Sequence, residues 1–417
     1  MRTSRLDTEL FRTELPNGLV VVTERLPGVR SAAAGIWVRS ASGHESPPVM
    51  GVSHLLEHMV FKGTERRSAR EIAMSLESRG GSLDAYTSRD HTSYQAHVLD
   101  QDLPLALDVL TDLVRRPLLR DDDLALERNV VLEEINGVAD TPDDLVYELF
   151  GATLFPDHPY GWPILGTADT VTALQVEHLR AAHARGYYPG NCVVAVAGNV
   201  QHDAVLAELE RLGWFAGEGQ PAMPPVVPTV ARRGVREQVH RDLQQVHAVL
   251  GVDTIPVKDS RRWTMATLST ALGAGMSSRL FQRVREELGL CYAVYAWHAT
   301  YRSGGVFGVY VGTQPATADR AIAAIDAELA RLAGEGLPAA DLDDAKGQLK
   351  GQLMLALEST TSRMGRLASH VLNDEPYRPL DEVLRLVDAV TPADTAELAS
   401  AFLAPELLSA VRLGPTH

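Results

Sequence analysis

The chain has 417 residues and a formal net charge of −15, with 54 acidic against 39 basic side chains. This length predicts two or more domains. The acidic balance, with no block of Lys or Arg, argues against a nucleic-acid partner. The excess of acidic side chains either favours a cationic ligand or serves solubility alone. Two cysteines are too few for a disulfide framework, and neither a signal peptide nor a membrane span is indicated, so we expect a cytoplasmic protein.

The first elements predicted along the chain form a hairpin. Apolar residues on both sides of the Pro-Asn-Gly turn at 16–18 indicate two antiparallel strands, and a further strand is predicted at 31–39. Helical periodicity follows at 52–61, and a second helix, with a capping box at its start, is predicted at 68–79. Alternation at 82–99 predicts one or two more strands.

The remaining elements suggest a repeated architecture. Helices are predicted at 102–114 and 121–135, and a buried strand at 191–198. The stretch 217–228 holds two glycines and four prolines and predicts a linker. Beyond it we predict strands at 246–251, 293–301 and 305–312, and helices at 263–272, 278–287, 317–333 and 339–358.

This order of strands and helices predicts an α+β protein of two similar domains of roughly 200 residues each, each a mainly antiparallel sheet packed with helices. The predicted boundaries are an N-terminal domain at 1–216, a Pro/Gly-rich linker at 217–234 and a C-terminal domain at 235–417.

The sequence His54-Leu-Leu-Glu57-His58 carries a candidate metal site. On a helix the two histidines lie one turn apart on the same face and can bind one ion, with Glu57 beside both. This HxxEH order is the inverzincin pattern, in which neutral imidazoles hold zinc and the carboxylate takes a proton from an attacking water. The other interpretation is an accidental pattern, but the apolar residues of the same helix place the histidines near a buried boundary, where unpaired imidazoles would be costly.

A catalytic zinc site needs a third protein ligand, and the helix predicted at 121–135 offers glutamates. Glu127 and Glu134 are two helical turns apart and share a face, whereas Glu133 points roughly a hundred degrees away from Glu134. One could bind the metal while another supports it, or all could form a solvated helix face. Two imidazoles and a carboxylate also suit other ions such as manganese.

The segments GVSHLLEHMVFKGT and ERNVVLEE, with 76 residues from His58 to Glu134, resemble the M16 family of metallopeptidases. The likeness is closest to mitochondrial processing peptidase and its bacterial relatives (M16B), and it covers nearly the whole chain. It implies the LuxS/MPP-like metallohydrolase fold with one Zn²⁺ per chain. The implied ligands are His54, His58 and Glu134, with Glu57 as the catalytic base and Glu127 as the supporting acid.

Two further segments extend the resemblance. Gly80 to Tyr94 resembles the edge strand with which the family pairs an extended substrate by β-augmentation, although an ordinary sheet strand is equally compatible. The resemblance implies substrate binding by Asp84, Ala85, Tyr86 and Thr87. Relatives often have Asn where this chain has Asp84, and a carboxylate there would favour basic side chains unless it simply faces solvent.

Gly273 to Ala296 resembles the segment that carries the family's Arg/Tyr pair. This implies that Arg285 and Tyr292 anchor the substrate backbone and steady the tetrahedral oxyanion. From the residues alone, Arg285 would be interpreted as a surface residue and Tyr292 as a core residue.

The resemblance also implies an assembly, because relatives form a clamshell of four such domains. Two domains per chain imply a homodimer whose sites are completed by Arg285 and Tyr292 of the partner subunit, or a heterodimer with a related chain. The implied function is a zinc endopeptidase acting on peptides, including basic ones, or on unfolded segments. The alternatives are a non-catalytic peptide-binding or scaffold subunit, although such proteins usually lose part of HxxEH, and a hydrolase of another amide.

Overall fold

The structure, a computed structural model, describes residues 1–415. The strands are β1 (Arg2–Asp7), β2 (Leu10–Glu14), β3 (Val20–Arg25), β4 (Ser31–Val38), β5 (Ser82–Thr87), β6 (Thr92–Leu99), β7 (Cys192–Gly198), β8 (Arg236–His240), β9 (Val246–Thr254), β10 (Cys291–Thr300), β11 (Gly305–Thr313) and β12 (Ser409–Gly414). The α-helices are α1 (Val52–Val60), α2 (Ala69–Glu77), α3 (Leu103–Arg115), α4 (Asp121–Asp140), α5 (Pro142–Leu154), α6 (Ala168–Ala173), α7 (Val176–Gly186), α8 (His202–Arg211), α9 (Arg262–Gly273), α10 (Ala318–Glu335), α11 (Ala339–Ala356), α12 (Thr360–Leu372), α13 (Leu380–Asp388) and α14 (Pro392–Phe402). None of these helices is both long and apolar enough to cross a bilayer.

The chain folds into two compact units, each assembled from three segments. The first unit comprises Met1–Ile135, Pro163–Val226 and Leu355–Tyr377, and the second comprises Asn136–Trp162, Val227–Met354 and the segment from Arg378. The contiguous domains predicted at 1–216 and 235–417 therefore differ from these units, because α5 packs with the second unit and α12 with the first. Periodicity reveals that each helix has an apolar face but not which sheet covers that face.

The first unit is built on a seven-stranded sheet in the order β1-β2-β3-β7-β4-β6-β5. All neighbours are antiparallel except β3 and β7. The central strand β7 is buried along its whole length, because Val194 and Val196 face the core formed with α1, α2 and α3, while Val193 and Ala195 face α12. The sheet leaves β5 at one edge.

The predicted linker contains neither helix nor strand between Gly217 and Val235, yet its first part is held to the first unit. The Asn17 side chain donates to the carbonyl oxygens of Trp214 and Ala216 at 2.8 and 3.1 Å, just before this stretch. Further along, the Met223 N–H donates to Asn191 Oδ1 at 2.9 Å. Proline and glycine thus exclude regular structure here without leaving the chain unattached.

The second unit is built on a five-stranded sheet in the order β10-β11-β9-β12-β8, antiparallel except for β12 and β8. Helices α9, α10 and α14 cover one face, and α5 covers the other. Gly251 on β9 has no side chain, which leaves space for the ring of Phe150 from α5. Two domains, each a mainly antiparallel sheet packed with helices, were predicted, and this α+β fold class is confirmed.

Candidate metal centre

The position of α1 is fixed at its first turn. Gly51 precedes the helix with a φ of 87°, and a Cβ atom there would collide with the carbonyl oxygen of Leu165. The buried carboxylate of Glu45 accepts hydrogen bonds from the N–H groups of Gly51 and Ser53, both at 2.8 Å. These contacts satisfy donors that the helix leaves unpaired and place negative charge at its N-terminus. Burial outweighs them and raises the pKa of Glu45 to about 6.

Three side chains converge beside this helix. The Nε2 atoms of His54 and His58 each lie 3.6 Å from Oε2 of Glu134, which is too long for a hydrogen bond. The three ligand atoms are all within 4.8 Å of one another. A tetrahedral ion with ligands at 2.0–2.1 Å would separate them by about 3.3 Å, so the arrangement fits a zinc-sized cation.

The protonation of His54 also suits metal binding. Burial, with a smaller contribution from the charge of His58, lowers the pKa of His54 to about 4, so its imidazole is neutral near pH 7. Its Nδ1 atom is buried and has no hydrogen-bond partner among residues 1–415. A neutral imidazole whose Nε2 faces a second imidazole and a carboxylate can ligate a divalent ion.

The helix α4 presents its glutamates in different directions. Glu134 faces the two histidines, whereas Glu133 is exposed, so the structure distinguishes two candidates that the helical pattern left open. Glu127 lies two turns earlier and its side chain is only 7% exposed. Its Oε2 atom is 3.2 Å from His58 Nδ1, and its Oε1 atom is 2.6 Å from Nζ of Lys62, a residue that the sequence pattern did not indicate.

Glu57 lies on the same helix and is held by a residue of β5. The hydroxyl of Thr87 donates a hydrogen bond of 2.6 Å to Glu57 Oε2. Burial raises the pKa of Glu57, and this hydrogen bond acts in the opposite direction. The family resemblance implies substrate binding by Thr87, and the sequence alone does not indicate its contact with Glu57.

The strand β5 has the exposure of an edge strand. It pairs with β6 on one side, and no strand among residues 1–415 pairs with its other side. Asp84 and Tyr86 are exposed, and Ala85 is half-buried between them. The unpaired edge therefore offers backbone donors and acceptors, and two exposed side chains, close to the residue that holds Glu57.

Arg285 and Tyr292 lie in the second unit and contact each other. The guanidinium of Arg285 stands 5.6 Å from the Tyr292 ring and 4.4 Å from the ring of Phe281. The segment predicted as a helix at 278–287 forms a π-helix at Phe281–Glu287, a rare conformation that often occurs at functional sites. Tyr292 is 78% exposed, and the register of β10 and β11 shifts at this residue in a β-bulge.

Comparison with known proteins gives two family matches along the chain. The family described as insulinase (peptidase family M16) matches residues 20–168, and the family described as the peptidase M16 inactive domain matches residues 173–349. An uncharacterized zinc protease of Streptomyces coelicolor is 41% identical over 93% of this chain and 86% of its own length. An uncharacterized zinc protease of Bacillus subtilis is 38% identical over 90% of this chain and 91% of its own.

Solved structures share the fold over nearly the whole chain. A peptidase M16 inactive domain from Pseudomonas fluorescens superposes with a TM-score of 0.91 at 21% identity, covering 98% of both chains. A protease from Helicobacter pylori superposes with a TM-score of 0.90 at 24% identity, covering 97% of this chain and 99% of its own.

Proposed function

The chain belongs to peptidase family M16, and from this membership we propose that it is a zinc-dependent endopeptidase that cleaves peptides or unfolded segments. The observation that carries the proposal is the convergence of His54, His58 and Glu134, with Glu57 on the same helix. The zinc protease names of relatives at 41% and 38% identity support both the metal and the reaction class.

The chain's own groups divide the work of hydrolysis. Zinc held by the two histidines and Glu134 would supply a Lewis acid that polarises the scissile carbonyl and lowers the pKa of water. The carboxylate of Glu57 accepts the proton of the water that attacks the carbonyl carbon, and it returns a proton to the departing amine. Its raised pKa suits the first of these transfers, because a carboxylate whose pKa lies nearer the working pH is a stronger base towards the attacking water.

Substrate is proposed to bind by adding a strand to the free edge of β5. Because β5 ends at Thr87, which contacts the base, a peptide paired along this edge runs towards Glu57. Ala85 and its neighbours would hold the peptide backbone, and the exposed carboxylate of Asp84 would favour a basic side chain.

Arg285 and Tyr292 are proposed to hold the peptide backbone and the developing oxyanion. Their placement supports this role, since the half-buried guanidinium of Arg285, in the π-helix, lies beside the ring of Tyr292, which is exposed at the β-bulge. The proposed assembly is a homodimer in which these residues serve the site of the other subunit, and a heterodimer with a related chain is the competing assembly.

A second candidate function is a non-catalytic peptide-binding or scaffold subunit. The observation favouring it is that the family matching residues 173–349 is described as an inactive domain. That match lies outside the metal centre, which is formed by residues 54–134 and retains both histidines, Glu57 and Glu134.

A quenched fluorescent basic peptide tests the proposal. Cleavage should stop with a chelator and return with zinc, and Glu57→Gln should lower kcat by about 10²–10⁴ while metal content stays at one ion per chain, because the variant keeps all three ligands. Glu77→Gln, an exposed position at the end of α2, is the matched control and should retain activity. Stoichiometric metal in a wild-type protein that cleaves no peptide would support the scaffold instead.

A further inference from the structure

We infer that Lys62 is a positioning residue of the metal centre, which acts through Glu127 on the ligand His58. The inference rests on the proposed function, since it concerns how that centre binds its ion. Its basis is a continuous chain of contacts in which Lys62 Nζ lies 2.6 Å from Glu127 Oε1, and Glu127 Oε2 lies 3.2 Å from His58 Nδ1.

Lys62 connects the two helices that supply the ligands. It is the second residue after the end of α1, and its N–H donates to the carbonyl of Met59 in the turn that ends the helix. Its own carbonyl accepts a hydrogen bond of 3.0 Å from Arg120, the residue before α4, while its ammonium reaches Glu127 on the second turn of α4. Main chain and side chain of this one residue thus fix the end of α1 against the start of α4.

The carboxylate of Glu127 depends on both of its partners. It is almost buried, and each of its two oxygens contacts one partner, an ammonium on one side and an imidazole on the other. Removal of the ammonium leaves Oε1 without its charged partner in a position where little water reaches it, which is costly. The carboxylate then gains most by rotating towards solvent, and that rotation takes Oε2 away from His58.

The two histidines differ in how strongly they need this support. His58 Nδ1 faces Glu127, which fixes the ring orientation and leaves Nε2 to face Glu134. His54 Nδ1 has no such partner within the described part of the chain. Among the described residues, Glu127 is therefore the carboxylate that orients a ring of this imidazole pair through Nδ1, and Lys62 in turn holds Glu127.

The experiment measures zinc affinity by competition with a chromophoric chelator, a readout independent of catalysis. Lys62→Met should weaken zinc binding about tenfold, at the lower end of the roughly 10–100-fold loss that follows removal of a residue supporting a ligand. Lys62→Arg, which retains a cation that can reach Glu127, should stay within about threefold of wild type. Lys350→Met, which removes a lysine paired with Asp388 in the second unit, is the matched control and should bind as wild type.

A double-mutant cycle establishes whether Lys62 acts through Glu127. In a Glu127→Gln background, Lys62→Met should cause little further loss, because the carboxylate that it orients is already absent. Equal losses in both backgrounds would overturn the inference, as would unchanged zinc affinity with a lowered melting temperature of the metal-free Lys62→Met protein. A wild-type protein that binds no zinc refutes the proposed metal centre as well, whereas tight binding by both wild type and Lys62→Met refutes the role of Lys62 alone.

Discussion

At the scale of single residues, the carboxylate proposed as the catalytic base, Glu57, is held by one neutral hydroxyl. Thr87 donates to Glu57 Oε2 at 2.6 Å, and this contact joins the end of the free edge strand to the group proposed to move the proton. The hydroxyl has two effects, since it orients the carboxylate and stabilises its charged form. A substitution that removes only the hydroxyl separates these effects from the packing of the side chain.

Thr87→Val should lower kcat about tenfold, because loss of one hydrogen bond to a charged group costs roughly 1.5 kcal/mol. The acidic limb of the pH profile of kcat/KM should also move to higher pH. The hydrogen bond lowers the pKa of Glu57, so its removal raises that pKa and the base is protonated over a wider range. Thr87→Ser keeps the hydroxyl and should resemble wild type; an unshifted profile in the valine variant would contradict this role.

The sequence predicted which residues would serve as the three ligands, the base and the supporting acid Glu127, but it did not indicate that Thr87 and Lys62 contact Glu57 and Glu127. His54, Glu57 and His58 lie within five positions, so their common helix was enough to bring them together. The contacts of Glu57 with Thr87 and of Glu127 with Lys62 join different elements, and no period in the sequence encodes such pairs. Glu134 was chosen over Glu133 only through the family spacing.

At the scale of elements, α1 begins where a buried carboxylate replaces the usual capping residue. Gly51 offers no side-chain cap, and Glu45 instead reaches the first turn from outside the helix. The pKa of Glu45 is raised to about 6 from an ordinary value of 4.5, chiefly by burial. The protonated form is therefore favoured by folding: its stabilising contribution is complete below pH 4.5 and is lost as the pH rises through about 6.

Glu45→Gln should remove the contribution of this side chain to the pH dependence of stability, because glutamine stays neutral. The free energy of unfolding of wild type minus that of the variant should fall by about 1–2 kcal/mol between pH 4 and pH 7.5. Urea unfolding of the metal-free proteins measures it, with Glu77→Gln as the control whose difference from wild type stays constant. A pH-independent difference for Glu45→Gln would show that burial of this carboxylate does not govern its ionisation.

Elements were predictable where one regular period extended over their whole length. The helix at 68–79 and the strand at 191–198 correspond to α2 and β7. The segment 278–287 was predicted as helical, but its π-helical hydrogen bonding follows from how the turn packs and not from apolar spacing. The β-bulge at Tyr292 is likewise a property of two paired strands, which a single strand's sequence does not contain.

At the scale of the whole molecule, sites shared between the subunits of the proposed homodimer would allow two inactive variants to restore activity together. A Glu57→Gln chain keeps its Arg285, and an Arg285→Ala chain keeps its Glu57. If sites are shared between subunits, a mixed dimer contains one intact site and one site with both defects. Coexpression of the two chains should then recover about a quarter of wild-type activity, since half of randomly formed dimers are mixed and each has one working site.

Activity equal to the sum of the two separate mutants would contradict shared sites. The matched control is coexpression of Glu57→Gln with a Glu57→Gln, Arg285→Ala chain, in which no combination of subunits contains an intact base. The control mixed dimer carries Glu57→Gln in both subunits, so activity that appears only in the first mixture depends on the intact Glu57 of the Arg285→Ala chain.

The assembly of the first unit from three segments has a consequence for how the protein is made. Apolar side chains on one face of its sheet, among them Trp37 and Val193, are covered by α12, whose residues are 360–372. At about 5–20 residues per second, a ribosome needs on the order of ten seconds or more to advance from β7 to that helix. Throughout that interval the nascent sheet exposes an apolar surface, and we expect the growing chain to depend on chaperones until its last quarter has emerged.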